Sequence, residues 1–211
     1  MKRQSPAWSH DMAGYRAFYN AHPHNFDTFE EYHRHYWRKP IKDYNEVPRY
    51  AAFLPWLKGG DILDVGCDGG ALDNYLYRQG HHVVGLDITE EYITLNRERM
   101  PEIEWVLAAF EETEYCEEFD TLICSEVLEH VMDVETFLQR AQECLRPGGV
   151  FIGTVPVAGS VNEPGSWYEE DEHLNSFTLS EAHEILSGYF DEVETKLVCG
   201  DVWVAFKGVK A

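Results

Sequence analysis

Apolar residues follow two rhythms along this chain, and the change comes near residue 60. Before it, aromatic and aliphatic positions recur three and four residues apart: Tyr15, Phe18 and Tyr19, then Phe29, Tyr32 and Tyr36, then Tyr50, Phe53, Leu54 and Leu57. That spacing gathers them on one helix face and predicts short amphipathic helices, the last over 46–57. Asp27 stands where a helix cap would, with Glu30 and Glu31 in the turn that follows. From residue 61 the apolar positions come instead as short runs, at 62–65, 82–87, 103–107, 119–124 and 150–155. Helical-period stretches separate them, from Ala71 with Leu72, Tyr75 and Leu76, at 89–100, and at 133–145. Unbroken apolar runs alternating with helices predict a parallel sheet covered on both faces. Pro101 stops one helix, and Arg146-Pro147-Gly148-Gly149 is a stop signal for another. The division expected is an N-terminal helical cap over 1–58 and an α/β domain over 59–211. Within the second, 156–176 is a long polar loop, and a short helix over 180–186 follows it.

The stretch 61–70 organises the rest. Ile62 to Val65 is of strand type, with Asp64 inside it, and then come Gly66, Gly69 and Gly70 among five residues. Strand, glycine turn and helix start make a nucleotide-binding unit: glycines allow close backbone approach, and the helix N-terminus offers unpaired N–H groups. The next run ends on Asp87, about twenty residues past the first glycine, where a carboxylate accepts hydrogen bonds from ribose hydroxyls. The dinucleotide fingerprint needs a second glycine at the position held by Asp68, which disfavours NAD.

The stretch resembles the first motif, D-x-G-x-G-x-G, of the class I S-adenosylmethionine-dependent methyltransferases. Asp64, Gly66 and Gly70 match it, and Asp68 replaces the middle glycine. Asp tolerates left-handed backbone angles better than most residues, and an anion there would attract a sulfonium. Further along, Phe119-Asp120, the segment Glu126-Val127-Leu128-Glu129-His130-Val131 and the turn Leu145-Arg146-Pro147-Gly148-Gly149 carry the likeness to about residue 155. The chain is similar above all to the branch containing ubiquinone-pathway O-methyltransferases and natural-product small-molecule enzymes. The resemblance implies a Rossmann-like fold: a seven-stranded, mostly parallel sheet with an antiparallel last strand and helices on both faces. It makes 190–198 and 202–207 the last two strands, joined through Gly200-Asp201. It implies S-adenosyl-L-methionine as cofactor, held by Asp64, Gly66, Cys67, Asp68 and Gly70, by Asp87 and Ile88, by Ala109 and Phe110, and by Ser125. Many relatives have an Asp near Ala109 to meet the adenine amino group; here backbone groups and an apolar wall such as Phe110 would hold the ring. The cap would fold its aromatics over the cofactor, and one of Arg38, Lys39 and Lys42 would pair with the cofactor's carboxylate.

Methyl transfer to a hydroxyl needs alignment and a proton acceptor. Two imidazoles stand in expected site loops: His130, and His173 in a segment similar to the H-x-x-x-F-T element of small-molecule methyltransferases. Glu126, Glu129 and His130 lie within about one helical turn and form a candidate set for a divalent cation such as Mg2+, which would polarise a catechol-like hydroxyl. The histidines His22, His24, His33 and His35 lack the spacing of a metal site.

Bulk properties narrow the partners. The chain has 211 residues, 44% hydrophobic and 14% aromatic, enough for a full core. Its 38 acidic against 17 basic residues give a net charge of −21, which repels phosphate backbones and disfavours nucleic acid as partner. Cys67, Cys116, Cys124, Cys144 and Cys199 show no C-x-x-C spacing and read as free thiols in a reducing compartment. No apolar run reaches membrane-spanning length and the N-terminus lacks a signal-peptide core, so a cytoplasmic location is expected. The acceptor expected is a small molecule, methylated on a hydroxyl oxygen. Two rivals stand beside this: a metal-dependent RNA-ribose 2′-O-methyltransferase and a non-catalytic S-adenosylmethionine-binding protein. No N-P-P-Y or D-P-P-Y segment follows the fourth strand, which disfavours amino-group methylation of bases or glutamine.

Overall fold

A computed structural model describes residues 46–158 and 173–211. The helices expected around 15–36, His22, His24, His33, His35, the cations Arg38, Lys39 and Lys42, and the middle of the polar loop lie outside these residues.

The described chain runs α1 (Glu46–Phe53), β1 (Asp61–Val65), α2 (Ala71–Arg78), β2 (His82–Asp87), α3 (Glu90–Arg99), β3 (Glu104–Leu107), β4 (Phe119–Ser125), α4 (Val134–Cys144), β5 (Leu145–Pro156), α5 (Leu179–Ser187), β6 (Asp191–Val198) and β7 (Trp203–Val209). The strands form one seven-stranded sheet in the order β3-β2-β1-β4-β5-β7-β6. The first five are parallel to their neighbours, whereas β7 runs antiparallel to both β5 and β6. The strand order reverses beside β1 and β4, so a crevice opens above the carboxyl ends of those two strands. That is the expected fold class, including the antiparallel hairpin through Gly200 and Asp201.

Alternation along the strands explains the two cores. Leu63 and Val65 of β1, Leu122 and Cys124 of β4 and Phe151 and Val155 of β5 face α4 and α5, where Phe137, Leu138, Ala141 and Leu186 meet them. Ile62, Ile123 and Ile152 face the other way, onto Leu72, Leu76, Ile93 and Phe53. Phe53 belongs to α1 and is fully buried, so the helix before the sheet is part of the core.

Three local departures from the sequence reading have clear causes. The helix expected over 46–57 ends at Phe53 and tightens into a 3-10 turn, Leu54–Trp56, because Pro55 cannot donate the next helical hydrogen bond. Arg146-Pro147-Gly148-Gly149 is not a separate turn: α4 passes directly into β5 at Leu145, with Gly148 in the left-handed region and a register shift against β4 absorbing the kink. Tyr75 is half-exposed rather than inward, and α2 buries Leu72, Leu76 and the carboxyl of Asp73 instead.

Trp105 of β3 packs its ring where Gly70 and Gly85 have no side chains, and its indole N–H donates to the Met100 carbonyl at 2.9 Å. A Cβ on Gly85 would lie 2.3 Å from that ring and 2.8 Å from Asp73 Oδ1. Gly85→Ala is expected to destabilise the fold by about 1–3 kcal/mol through overpacking, read as a lower urea midpoint at unchanged m-value.

Candidate functional site

The glycine turn sits where β1 leaves the sheet. Gly66 and Gly70 have φ of 75° and 71°, and Asp68, at φ 49°, takes the left-handed conformation that a glycine would otherwise supply. The turn is tied down from below and beside it. Asp87, at the end of β2, accepts the Asp68 N–H on Oδ2 at 3.0 Å and the Thr89 N–H on Oδ1 at 2.8 Å. Asn96 of α3 donates to the Asp68 carbonyl at 2.7 Å. Gly66 and Cys67 both donate to the Leu86 carbonyl. The carboxylate expected to take the ribose thus also fixes the loop that would cradle the rest of the cofactor.

Beneath the turn lies a feature the sequence reading missed. Asp73, from the first turn of α2, is fully buried, and neither of its oxygens meets a donor among the described residues. What it faces is the buried carboxyl of Asp64. Two carboxyls in contact share a proton, because the like charges cannot both persist in a dry site. Burial pushes Asp73 up to about 7 and Asp64 well above the carboxylate range, with Asp87 and Asp68 adding to both. Burial also raises Asp87, against the two backbone N–H groups that lower it. The only signal for this pair in the sequence was a charged residue on the inward stripe of α2, one position after Leu72.

Of the other residues expected at the cofactor, Cys67 is buried in the core with its thiol pushed well up by desolvation, which makes it no nucleophile. Ile88 lies between Asp87 and Thr89 at the end of β2. Ala109 is buried and starts the short turn Phe110–Glu112, while Phe110 packs on Phe137 with ring centroids 4.8 Å apart. Ser125 Oγ pairs with Thr154 Oγ1 at 2.8 Å, at adjoining positions of β4 and β5.

The second half of the site is the turn after β4. Glu126 has a φ of 59°, and its carboxylate is held on three sides. Thr154 Oγ1 donates to Oε1 at 2.9 Å, Trp203 Nε1 donates to Oε2 at 2.6 Å, and Arg49 Nη1 lies 3.2 Å from Oε2. Glu126 is raised by burial and pulled back by Arg49. Arg49 also stacks over the Trp203 ring at 5.6 Å. The sequence reading grouped Glu126 with Glu129 and His130; the structure brings together Glu129, His130 and His173. Their ligand atoms lie within 4.8 Å of one another. The two imidazoles meet edge to face at 4.9 Å, and His130 Nε2 is 3.8 Å from Glu129 Oε1. Glu129 is almost fully buried, its Oε2 has no partner among the described residues, and burial next to Glu126 pushes its carboxyl well above the usual range. A buried, orphaned carboxylate oxygen beside two imidazoles is a donor set that fits a divalent cation.

Residues 63–153 match the family described as Methyltransferase domain. Those residues carry a methyltransferase domain, and the chain resembles the class I S-adenosylmethionine-dependent methyltransferases. It is 40% identical over 119 residues to the mitochondrial ubiquinone biosynthesis O-methyltransferase of Homo sapiens, an alignment covering 52% of this chain and 32% of that protein. Against the ubiquinone biosynthesis O-methyltransferase of Aromatoleum aromaticum it is 31% identical over 154 residues, covering 64% of each. The chain therefore spans between about a third and two thirds of the length of these relatives. The described residues share their fold with solved methyltransferases. The 1,6-didemethyltoxoflavin-N1-methyltransferase of Burkholderia thailandensis, solved with bound 1,6-didemethyltoxoflavin and S-adenosylhomocysteine, superposes with a TM-score of 0.71 at 20% identity, covering 99% of this chain and 93% of that one. A possible histamine N-methyltransferase from Thermotoga maritima gives 0.70 at 17% identity, covering 92% and 99%. No helix among the described residues is long and apolar enough to cross a membrane.

The methyltransferase domain's buried acid pair has a pH signature. Asp73 is raised in the folded state, so the stability its protonated form contributes is complete below the unfolded carboxylate range and is lost as pH rises through about 7. Asp73→Asn keeps the shape and removes the charge. Its melting temperature is expected to exceed that of the parent by more at pH 8.5 than at pH 5, a difference worth roughly 1–3 kcal/mol because Asp64 shares the proton.

Proposed function

We propose that this protein transfers a methyl group from S-adenosyl-L-methionine to a hydroxyl oxygen of a small molecule. The observation that carries the reading is the pairing of two half-sites at the carboxyl ends of β1, β2 and β4: the Asp87-tethered glycine turn and the His130–His173 contact. The likeness to ubiquinone biosynthesis O-methyltransferases supports oxygen as the atom methylated. The net charge of −21 supports a small acceptor over a polyanion such as RNA.

The chemistry is an in-line displacement. The acceptor oxygen forms its bond to the methyl carbon as the carbon–sulfur bond breaks, and that electron pair returns to sulfur, leaving a neutral thioether. The protein holds the two reactants in line and takes up the hydroxyl proton. Asp87 receives the ribose hydroxyls on the lone pairs it does not use for Asp68 and Thr89. Asp68 and the Asp64–Asp73 pair supply negative potential where the sulfonium cofactor carries positive charge. His173 is the base, with His130 packed against its ring and turned toward Glu129. Glu129, His130 and His173 are also the residues that would hold a divalent cation, which when bound lowers the pKa of a coordinated hydroxyl. Glu126 acts as a strut, clamped by Arg49, Thr154 and Trp203. The cap before α1 and the loop over 156–176 would enclose the acceptor, and the reaction would take place in the cytoplasm.

Asp87→Ala is expected to weaken S-adenosylhomocysteine binding by tenfold or more in calorimetry; unchanged affinity would remove Asp87 from the cofactor site. His173→Ala is expected to lower turnover of a catechol probe by about a hundredfold with cofactor affinity intact. A chelator in the same assay separates the two uses of the cluster: activity survives if His173 acts as a simple base, and is restored only by added Mg2+ or Mn2+ if a cation is required.

A further inference from the structure

Between the two loops that carry His130 and His173 lies a residue whose bonds all run in one direction. The Asn175 side-chain amide donates to the Val131 carbonyl at 2.6 Å and to the Leu128 carbonyl at 3.1 Å, while its backbone N–H donates to the Glu129 carbonyl at 2.9 Å. Three carbonyls of one short turn therefore converge on a single residue, two positions after His173. The turn itself is tight, with the His130 N–H returning to the Val127 carbonyl at 2.9 Å. Like the last carbonyls of a helix, its outward oxygens need donors from elsewhere. Beyond Asn175 the segment is fastened a second time, to the end of β5. Val157 bridges Phe177 in parallel, and the Ala158 N–H donates to the Phe177 carbonyl at 2.8 Å.

We infer that Asn175 is the positioning residue of the acceptor side, clamping the 126–131 turn to the 173–177 segment so that His130, His173 and Glu129 meet. The inference rests on the methyltransferase reading for what the cluster does, and on the hydrogen bonds alone for how it is held. Chemistry fixes the residue type closely. Both side-chain partners are acceptors, so the amide nitrogen must face them. An aspartate of identical shape would set a carboxylate against two carbonyl oxygens, and a serine would be too short to span both. The contact between the imidazoles is made by side chains distant in sequence, and neither ring is attached to a regular element: His130 sits in a turn and His173 in a stretch without regular structure. Without the clamp, each ring would follow its own loop.

The cofactor cradle lies on β1 and β2, apart from these bonds, so a change at Asn175 should spare it. That separation makes the test specific. In Asn175→Ala and Asn175→Asp, the nuclear Overhauser contact between the His130 and His173 ring protons is expected to disappear. S-adenosylhomocysteine affinity should stay within about twofold. Turnover of a catechol probe should fall by about tenfold to a hundredfold at an unchanged KM for the cofactor. Should the aspartate variant fail to fold, the alanine variant, which adds no charge, carries the same readouts. If either variant folds and keeps the ring contact, the inference is overturned. If instead the parent protein binds neither S-adenosylmethionine nor S-adenosylhomocysteine, the functional reading fails, and the ring measurements still decide the role of Asn175.

Discussion

Two hydrogen bonds to one carboxylate hold the cofactor side of this molecule together. Asp87 takes the Asp68 N–H on one oxygen and the Thr89 N–H on the other, so the glycine turn after β1 and the start of α3 are both fastened to the end of β2. Neither loop could be placed by its own residues: the turn is rich in glycine, and Thr89 caps α3 without a side-chain hydrogen bond. A strand end is the stiffest anchor nearby, because β2 is paired on both sides, to β1 and to β3. The resulting site is preorganised for a ligand that presents hydroxyls and positive charge, since its donors are largely consumed and its remaining lone pairs belong to acids.

The acceptor side is built on a different plan. There the buried charges are paired by side chains from distant parts of the chain: Arg49 of α1 and Trp203 of β7 for Glu126, and His130 with His173 beside Glu129. A buried carboxylate is costly without such company, and removing one partner of a buried pair typically costs about 3–5 kcal/mol. Glu126 therefore reads best as architecture, joining the helix before the sheet to the last strand, whereas Glu129 keeps an oxygen in reserve.

The fold was legible because its signals are local. Runs of apolar residues ending in Gly66, Asp87 and Ser125 announce strands whose tips converge, and the strand-turn-helix grammar leaves few topologies. Boundaries shifted only where a local rule met a stronger one: Pro55 cut α1 short, and pairing with β4 drew Leu145 into β5 despite Pro147. The site was legible in part. Asp87 and His173 could be singled out as candidates from position and chemistry, one at a strand end and the other beside a long polar segment. The Asp64–Asp73 pair could not, because one acid beside Leu72 on a helix is too weak a sign that it faces a second buried acid. Nor could the exchange of Glu126 for His173 in the cluster, as that depends on Arg49 arriving from a helix about eighty residues away. Asn175 is the same kind of case: its three partners are close in sequence to one another and far from it.

The place of α1 has a consequence for how the protein could be shortened. Phe53 fills the core beneath β1, and Arg49 neutralises Glu126 at the mouth of the site. A fragment starting at the first strand would hold the whole sheet and every group of the glycine turn. It would also inherit a cavity where one aromatic ring had been and an acid without its counter-ion, in the wall next to the acceptor. Exchange of the segment before the sheet is thus constrained here: any replacement must bring its own arginine and its own large apolar side chain to the same two places.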